Sequence, residues 1–220
     1  MNMPMNMPMT MNDCRLILFA KAPVPGQVKT RLIPAVGPSA AATLYEQLIL
    51  HSLSIATDAQ IGPVDLWCAP STEHPFFLRC SERFPISLFS QPNGDLGSRM
   101  AHAFRDTLTK TSLVLLMGTD CPSLTADDLR EGAAVLRRGI AAVIGPSEDG
   151  GYVLIGLRRY APELFSGISW GTGSVLHQTR QRLRGLGWKW HELSEQWDVD
   201  RPEDMERLNR EGYLRKPSHE

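Results

Sequence analysis

The segment KAPVPGQVKTRL (21–32) gathers one glycine, two prolines and three cations, Lys21, Lys29 and Arg31. Its chemistry is that of a phosphate-binding loop. Pro23 and Pro25 stiffen the backbone, Gly26 permits close approach, and Lys29 and Arg31 can share a polyphosphate if the loop is extended. It is neither a Walker loop nor a G-x-G-x-x-G fingerprint. A solvated basic crossover loop has the same composition.

Three acidic segments complete a possible charge clamp. In MGTDCPSL (117–124), Asp120 follows an apolar run and precedes a proline, so it sits where a strand's carboxyl end can present a carboxylate to a hard divalent cation. A turn aspartate bonding its own backbone is the alternative. In WDVD (197–200), alternation along an extended segment puts Asp198 and Asp200 on one side, so at least one can join Asp120 at a metal. Asp200 with Glu203 also fits a D-x-x-E helix cap. In GPSEDGGYVLIGL (145–157), Asp149 precedes Gly150 and Gly151, an ordinary hairpin turn that can equally orient an acceptor hydroxyl or serve as its base. A fifth segment, QPNGDLGSRM (91–100), places Gly94 and Gly97 around Asp95 ahead of a helix, where it can line a nucleotide base pocket or simply cap that helix. The histidines have no partners at ligand spacing, and Trp188 and Trp190 read as packing.

The elements that must position these loops follow from hydrophobic periodicity. Strands are expected at 15–20, 64–69, 86–90, 113–117, 141–145, 152–157 and 188–193. Helices are expected at 38–57, 73–83, from Asp95, from Thr125, at 174–186 and at 201–210. Leu44, Leu48, Ile49, Leu53 and Ala56 share one face of the first helix. Thr125 offers a cap hydroxyl, with Asp128 three residues on. Alternating strands and helices imply an α/β sandwich with a mainly parallel sheet, in which ligands bind beyond the strands' carboxyl ends.

The chain has 220 residues, enough for one large domain, placed at 14–213 between a repetitive leader, MNMPMNMPMTMND (1–13), and a tail at 214–220. Its 23 basic and 24 acidic residues give a formal charge of −1, against a whole-protein nucleic-acid footprint. No apolar run approaches the about 18 residues of a membrane span. The four cysteines show no C-x-x-C pairing, so free thiols and a cytoplasmic location are expected.

Taken in order, K-A-P-x-P-G-x-x-K-T-R-L, G-D-L-G-x-R-M, G-T-D-C-P-S-L, E-D-G-G-Y-x-L-I-G-L and W-D-V-D-x-P-E-D resemble a family of GT-A-like glycosyltransferases formerly grouped as a domain of unknown function and labelled arsenosugar-biosynthesis glycosyltransferase-like. The match spans about residues 15–210. More distantly, the chain resembles the phospholactate and molybdenum-cofactor guanylyltransferases. The resemblance implies a GT-A-like (nucleotide-diphospho-sugar transferase) Rossmannoid three-layer sandwich with a mainly parallel mixed sheet. It also implies a nucleotide or nucleotide-sugar, a small-molecule acceptor and Mg2+ or Mn2+, and it allows a homodimer. Residue by residue, it implies that Lys29 and Arg31 bind nucleotide, that Asp120 and Asp200 hold the metal and that Asp149 faces the acceptor; with Pro25, Gly26, Gly94 and Gly97 added as nucleotide-binding from the reading of their own loops, Asp149 and Lys29 are the expected catalytic residues. The chain departs from the D-x-D pair of GT-A transferases, with Gly118 where the first aspartate would stand. Glycosyl transfer from a nucleotide-sugar is the first expectation, nucleotidyl transfer the second, and a catalytically inactive nucleotide-binding module the third.

Overall fold

The computed structural model describes residues 13–213, so most of the leader and all of the tail lie outside it. Strand β1 (Cys14–Lys21) leads through the cationic loop to a short helix α1 (Ile33–Val36) and to α2 (Pro38–Ala59). The chain continues through β2 (Val64–Ala69), α3 (Pro75–Arg83), β3 (Ile86–Ser90), α4 (Leu96–Leu108), β4 (Leu113–Met117) and α5 (Ala126–Arg137). It ends with β5 (Ala142–Pro146), β6 (Tyr152–Leu157), α6 (Val175–Gly185), β7 (Trp190–Glu192) and α7 (Pro202–Glu211).

The seven strands form one sheet in the order β3-β2-β1-β4-β6-β5-β7. The β1–β2, β2–β3, β1–β4 and β5–β7 pairs are parallel, while β6 runs antiparallel to both β4 and β5. Strand β1 therefore lies at the switch point of the strand order. The loops after β1 and β4 leave the sheet side by side there, the place where open α/β sheets open a ligand crevice.

Alternation along the strands sorts the core. From β1, Leu16 and Leu18 face a layer built from α2, α3 and α5, where Ile49, Leu53, Phe77, Leu129 and Leu136 are buried with them. Ile17 faces the opposite layer, with Phe104 of α4 and Leu176 and Leu183 of α6. The architecture is thus the three-layer α/β sandwich expected. A third cluster matters more for function: Leu32, Leu44 and Leu48 bury Trp197, Val199 and Leu208. The helical face read as one stripe divides, Leu44 and Leu48 gripping the Trp-Asp-Val-Asp segment while Ile49, Leu53 and Ala56 face the sheet. That grip holds the end of the chain against the first loop.

Two further features fix the frame. Asp65, 2% exposed in mid-strand, is paired with Arg15 of the neighbouring strand at 2.9 Å. Cys14, Cys68, Cys80 and Cys121 are all buried and unbridged, and burial pushes the Cys68 thiol up to about 12. Among the described residues no helix is long and apolar enough to cross a membrane.

Candidate active site

A cleft of about 620 Å³ opens at the switch point, lined by the loops after β1 and β4, the turn between β5 and β6, and the Trp-Asp-Val-Asp segment. Its centre is a cation held by the backbone rather than by solvent. The loop after β1 is not extended: Leu32 N–H donates to Lys29 O at 2.9 Å, and Lys29 adopts φ +47°. A positive φ at a residue other than glycine is costly and persists where the surroundings impose it. Here the turn drives the Lys29 side chain inward, to 5% exposure. Its ammonium donates to Val199 O at 2.6 Å, lies 2.8 Å from Asp120 Oδ1, and stands 5.6 Å from the centre of the Tyr45 ring.

Asp120 closes the other side. Its backbone carbonyl accepts from Val199 N–H at 2.9 Å, so Val199 bonds the two residues that carry the opposed charges. Asp120 Oδ1 is buried and meets Lys29 as an ion pair, without the angle of a hydrogen bond, while the side chain as a whole is 47% exposed. Behind it, Tyr45 OH lies 3.2 Å from Thr119 Oγ1 and accepts from Lys21 N–H at 3.1 Å. Burial, reinforced by the charge of Asp120, holds the Tyr45 phenol far above its ordinary range. Tyr45 is therefore a neutral strut that ties the end of β1 to the start of the Asp120 loop.

The two aspartates of the last segment take different partners. Asp200 pairs with Arg31, and helix α7 does not use it as a cap. Asp204, at the third helical position, instead accepts from the backbone N–H groups of Asp200 and Arg201 at 2.9 and 2.7 Å. The D-x-x-E cap read from Asp200 and Glu203 is thus replaced by one displaced a residue along the chain, which leaves Asp200 to Arg31. Asp198 turns toward the centre: it accepts from Ser147 Oγ at 3.2 Å. Burial raises its carboxyl above the usual range, the charges of Asp149 and Asp120 add to the rise, and Ser147 and Lys29 oppose it. Asp120 and Asp149 thus each repel Asp198. Asp198→Asn, which keeps the oxygen that Ser147 bonds, is expected to raise Tm by a few degrees while weakening cation-dependent binding; a thermal melt with and without magnesium and nucleotide reads both.

Asp149 lines the cleft and its Oδ1 accepts from Gly151 N–H at 2.8 Å, an aspartate turn that engages one of its two oxygens. The glycine beside it serves packing: a Cβ on Gly150 would stand 2.3 Å from Gly173 O, so Gly150 admits the loop before α6 rather than a ligand. Pro25 and Gly26 form an exposed turn at φ +83° outside the cleft lining. Gly94 also lies outside that lining, and Gly97 is a packing glycine. A Cβ on Gly97 would lie 2.5 Å from Trp170 Nε1 and 2.6 Å from Phe165 O. Gly97→Ala is expected to cost about 1–3 kcal/mol through displacement of the indole, measurable by denaturant unfolding. Asp95 between them caps α4 by accepting from Ser98 N–H at 2.7 Å.

Sequence reasoning passed over Tyr45, Thr119, Gln91, Arg99 and Trp170, all of which line the cleft. Gln91 bridges Ala20 O and Trp67 O at 3.1 and 2.7 Å, stapling the ends of β1 and β2. Its position, directly after a strand and before Pro92, was the available signal.

Among the described residues no group of three or more acidic, histidine or cysteine side chains is close enough to hold a metal unaided. The donor set nevertheless suits a nucleotide-bridged cation. Magnesium commonly takes one or two carboxylates and completes its shell with water and phosphate oxygens, and Asp120, whose Oδ1 faces Lys29, keeps a side chain 47% exposed, with Asp198 near enough for the two charges to repel.

The chain is 29% identical over 185 residues to the 3-phospho-D-glycerate guanylyltransferase of Phenylobacterium zucineum (strain HLK1), covering 80% of this chain and 81% of that one. A solved structure from Desulfovibrio desulfuricans G20, described as a nucleotide-diphospho-sugar transferase, superposes with TM-score 0.83 at 30% identity over 94% of this chain and 89% of its own. The 4-diphosphocytidyl-2C-methyl-D-erythritol synthase of Anaerococcus prevotii DSM 20548 shares the fold, with TM-score 0.61 at 10% identity over 92% of this chain and 99% of its own. The fold is GT-A-like and the chain is an enzyme of the transferase class. Residues 52–172 match the model of the family described as "Uncharacterized protein conserved in bacteria (DUF2064)", and the chain belongs to that family.

Proposed function

We propose that the chain is a divalent-cation-dependent nucleotidyltransferase that joins a nucleoside monophosphate, taken from a nucleoside triphosphate, to a small acceptor bearing an oxygen nucleophile. The observation that carries the reading is the single carboxylate at the end of β4: Asp120 faces Lys29 at 2.8 Å, and the D-x-D partner position is Gly118. Glycosyl transfer, the first expectation, came from the family resemblance, and the chain lacks the first aspartate of the D-x-D pair that GT-A glycosyltransferases show. The guanylyltransferase relative supports the nucleotidyl reading.

In this mechanism the cation would be held by Asp120 and Asp198, and when bound it supplies charge neutralisation for the phosphate oxygens. Lys29 donates to the phosphate chain from a position fixed by Val199 O, so little reorganisation accompanies the reaction. Arg31, 64% exposed, closes over the outer phosphates. The acceptor oxygen bonds to the α-phosphorus as the bond to the α–β bridging oxygen breaks, and that electron pair leaves with pyrophosphate. Where the nucleophile is a hydroxyl, its proton passes to the free oxygen of Asp149 and on to solvent.

The test is product analysis with purified protein, magnesium or manganese, a panel of nucleoside triphosphates and nucleotide-sugars, and pooled small acceptors. Pyrophosphate release from a triphosphate is the expected result. Nucleoside diphosphate release from a nucleotide-sugar would overturn the reading in favour of glycosyl transfer.

A further inference from the structure

The cleft is chemically divided. Its cations, Lys21, Lys29, Arg31 and Arg99, belong to the end of β1, the loop after it and α4. Arg99 is turned toward β2 and β3, its Nε donating to Gly94 O at 2.9 Å and Nη1 lying 3.5 Å from Gln91 Oε1. The half beyond β4, toward β6 and α6, is walled differently. Trp170 seats its indole on Gly97 and meets the Tyr152 ring edge-on, centroids 6.3 Å apart. Met100 and Val175 continue this wall, and Leu96 at its rim is 46% exposed, one of only two large apolar side chains so exposed among the described residues. The polar groups on this side are Thr172 and the carboxylate of Asp149, and the cleft lining contributed by β6, α6 and the loop before α6 holds no lysine or arginine.

We infer that this half is the acceptor subsite, and that it takes an acceptor with an apolar, ring-sized body and neutral hydroxyls rather than a compact polyanion. The inference rests on the transferase reading above, which places the triphosphate on the cationic side. An indole, a phenol ring and an uncovered leucine offer area and stacking to a ring. Asp149, exposed at the turn between β5 and β6, repels a phosphate or carboxylate brought beside it. The Asp149 carboxylate accepts from a hydroxyl, the kind of oriented polar contact such pockets use for specificity.

The experiment titrates the full chain, with magnesium and α,β-methylene GTP present, with two probes: phenyl β-D-glucoside, a ring with neutral hydroxyls, and 3-phospho-D-glycerate, a compact polyanion. The glucoside is expected to bind at least about tenfold more tightly. Trp170→Leu is expected to lower glucoside affinity about tenfold while the affinity for the GTP analogue stays within about twofold. Leu96→Arg, at an exposed position on which folding does not depend, should move the preference toward phosphoglycerate. Tighter binding of phosphoglycerate to the unaltered chain, or equal loss of both probes in Trp170→Leu with Leu96→Arg without effect, would overturn the subsite. Failure of the α,β-methylene analogues of GTP, ATP, CTP and UTP alike to bind in a magnesium-dependent way defeats the nucleotidyl reading instead; the same two probes without nucleotide then still decide the subsite.

Discussion

Asp120→Asn is expected to lower magnesium-dependent pyrophosphate release by about 10³-fold while leaving the fold intact. The substitution keeps the size of the side chain, and the backbone bond from Val199 N–H to Asp120 O does not depend on the carboxylate. What disappears is the negative charge that faces Lys29 at 2.8 Å and would face the cation. Two readouts separate this from a folding defect. Without ligand, Tm should stay within a few degrees of the parent. With magnesium and nucleotide at about 100 times Kd, the parent should gain about 2.7 kcal/mol of stability by mass action, and the variant should gain almost none. Asp120→Glu should not rescue activity, because the longer side chain carries the carboxylate out of the place that the bonds of Val199 define. Full magnesium-dependent turnover in Asp120→Asn would remove the residue from the site.

The frame of this site was largely legible because it is written in local patterns. Leu-Val-Leu-Leu-Met forms the strand covered on both faces that its apolar run suggested, and Thr125 with Asp128 forms the capping box its spacing suggested. The D-G-G segment turns the hairpin between β5 and β6 as an ordinary turn signal should. Legibility failed where a residue's role is set by a distant partner. Gly97 has the surroundings of a ligand-binding glycine, yet it is small because Trp170 packs on it from a loop far along the chain. Tyr45 lies on a helical face whose spacing announces core, and nothing local reveals that its hydroxyl meets Thr119.

The apportioning of Asp198 and Asp200 shows the same limit more sharply. Their alternation does set both opposite the buried Val199, but a one-residue shift in the helix cap decided which of them was left to Arg31. The conformation of Lys29 was also beyond local rules. Glycine usually marks a positive φ, and the lysine adopts it because its ammonium gains Val199 O and Asp120 at the end of the turn. Strain of this kind gathers at functional positions. It is the structural argument for placing Lys29, rather than the more exposed Arg31, at the centre of catalysis.

Lys29→Ala should therefore lower kcat/KM by about 10²–10³-fold, and the loss should appear with nucleoside triphosphates but not with the corresponding nucleoside as a binding probe. Arg31→Ala, which removes a largely exposed cation already paired with Asp200, should cost about tenfold at most. Lys29→Arg should fail to rescue, since a planar guanidinium cannot occupy the compact position 2.6 Å from Val199 O and over the Tyr45 ring. The backbone supplies a second, independent readout. Lys29→Gly relieves the φ of +47° that alanine must still bear, so the glycine variant should unfold at an equal or higher denaturant concentration than the alanine variant while remaining as inactive. Activity that followed stability across these variants would show that the lysine merely holds the turn. Activity lost in all three, whatever their stability, assigns the loss to the ammonium itself.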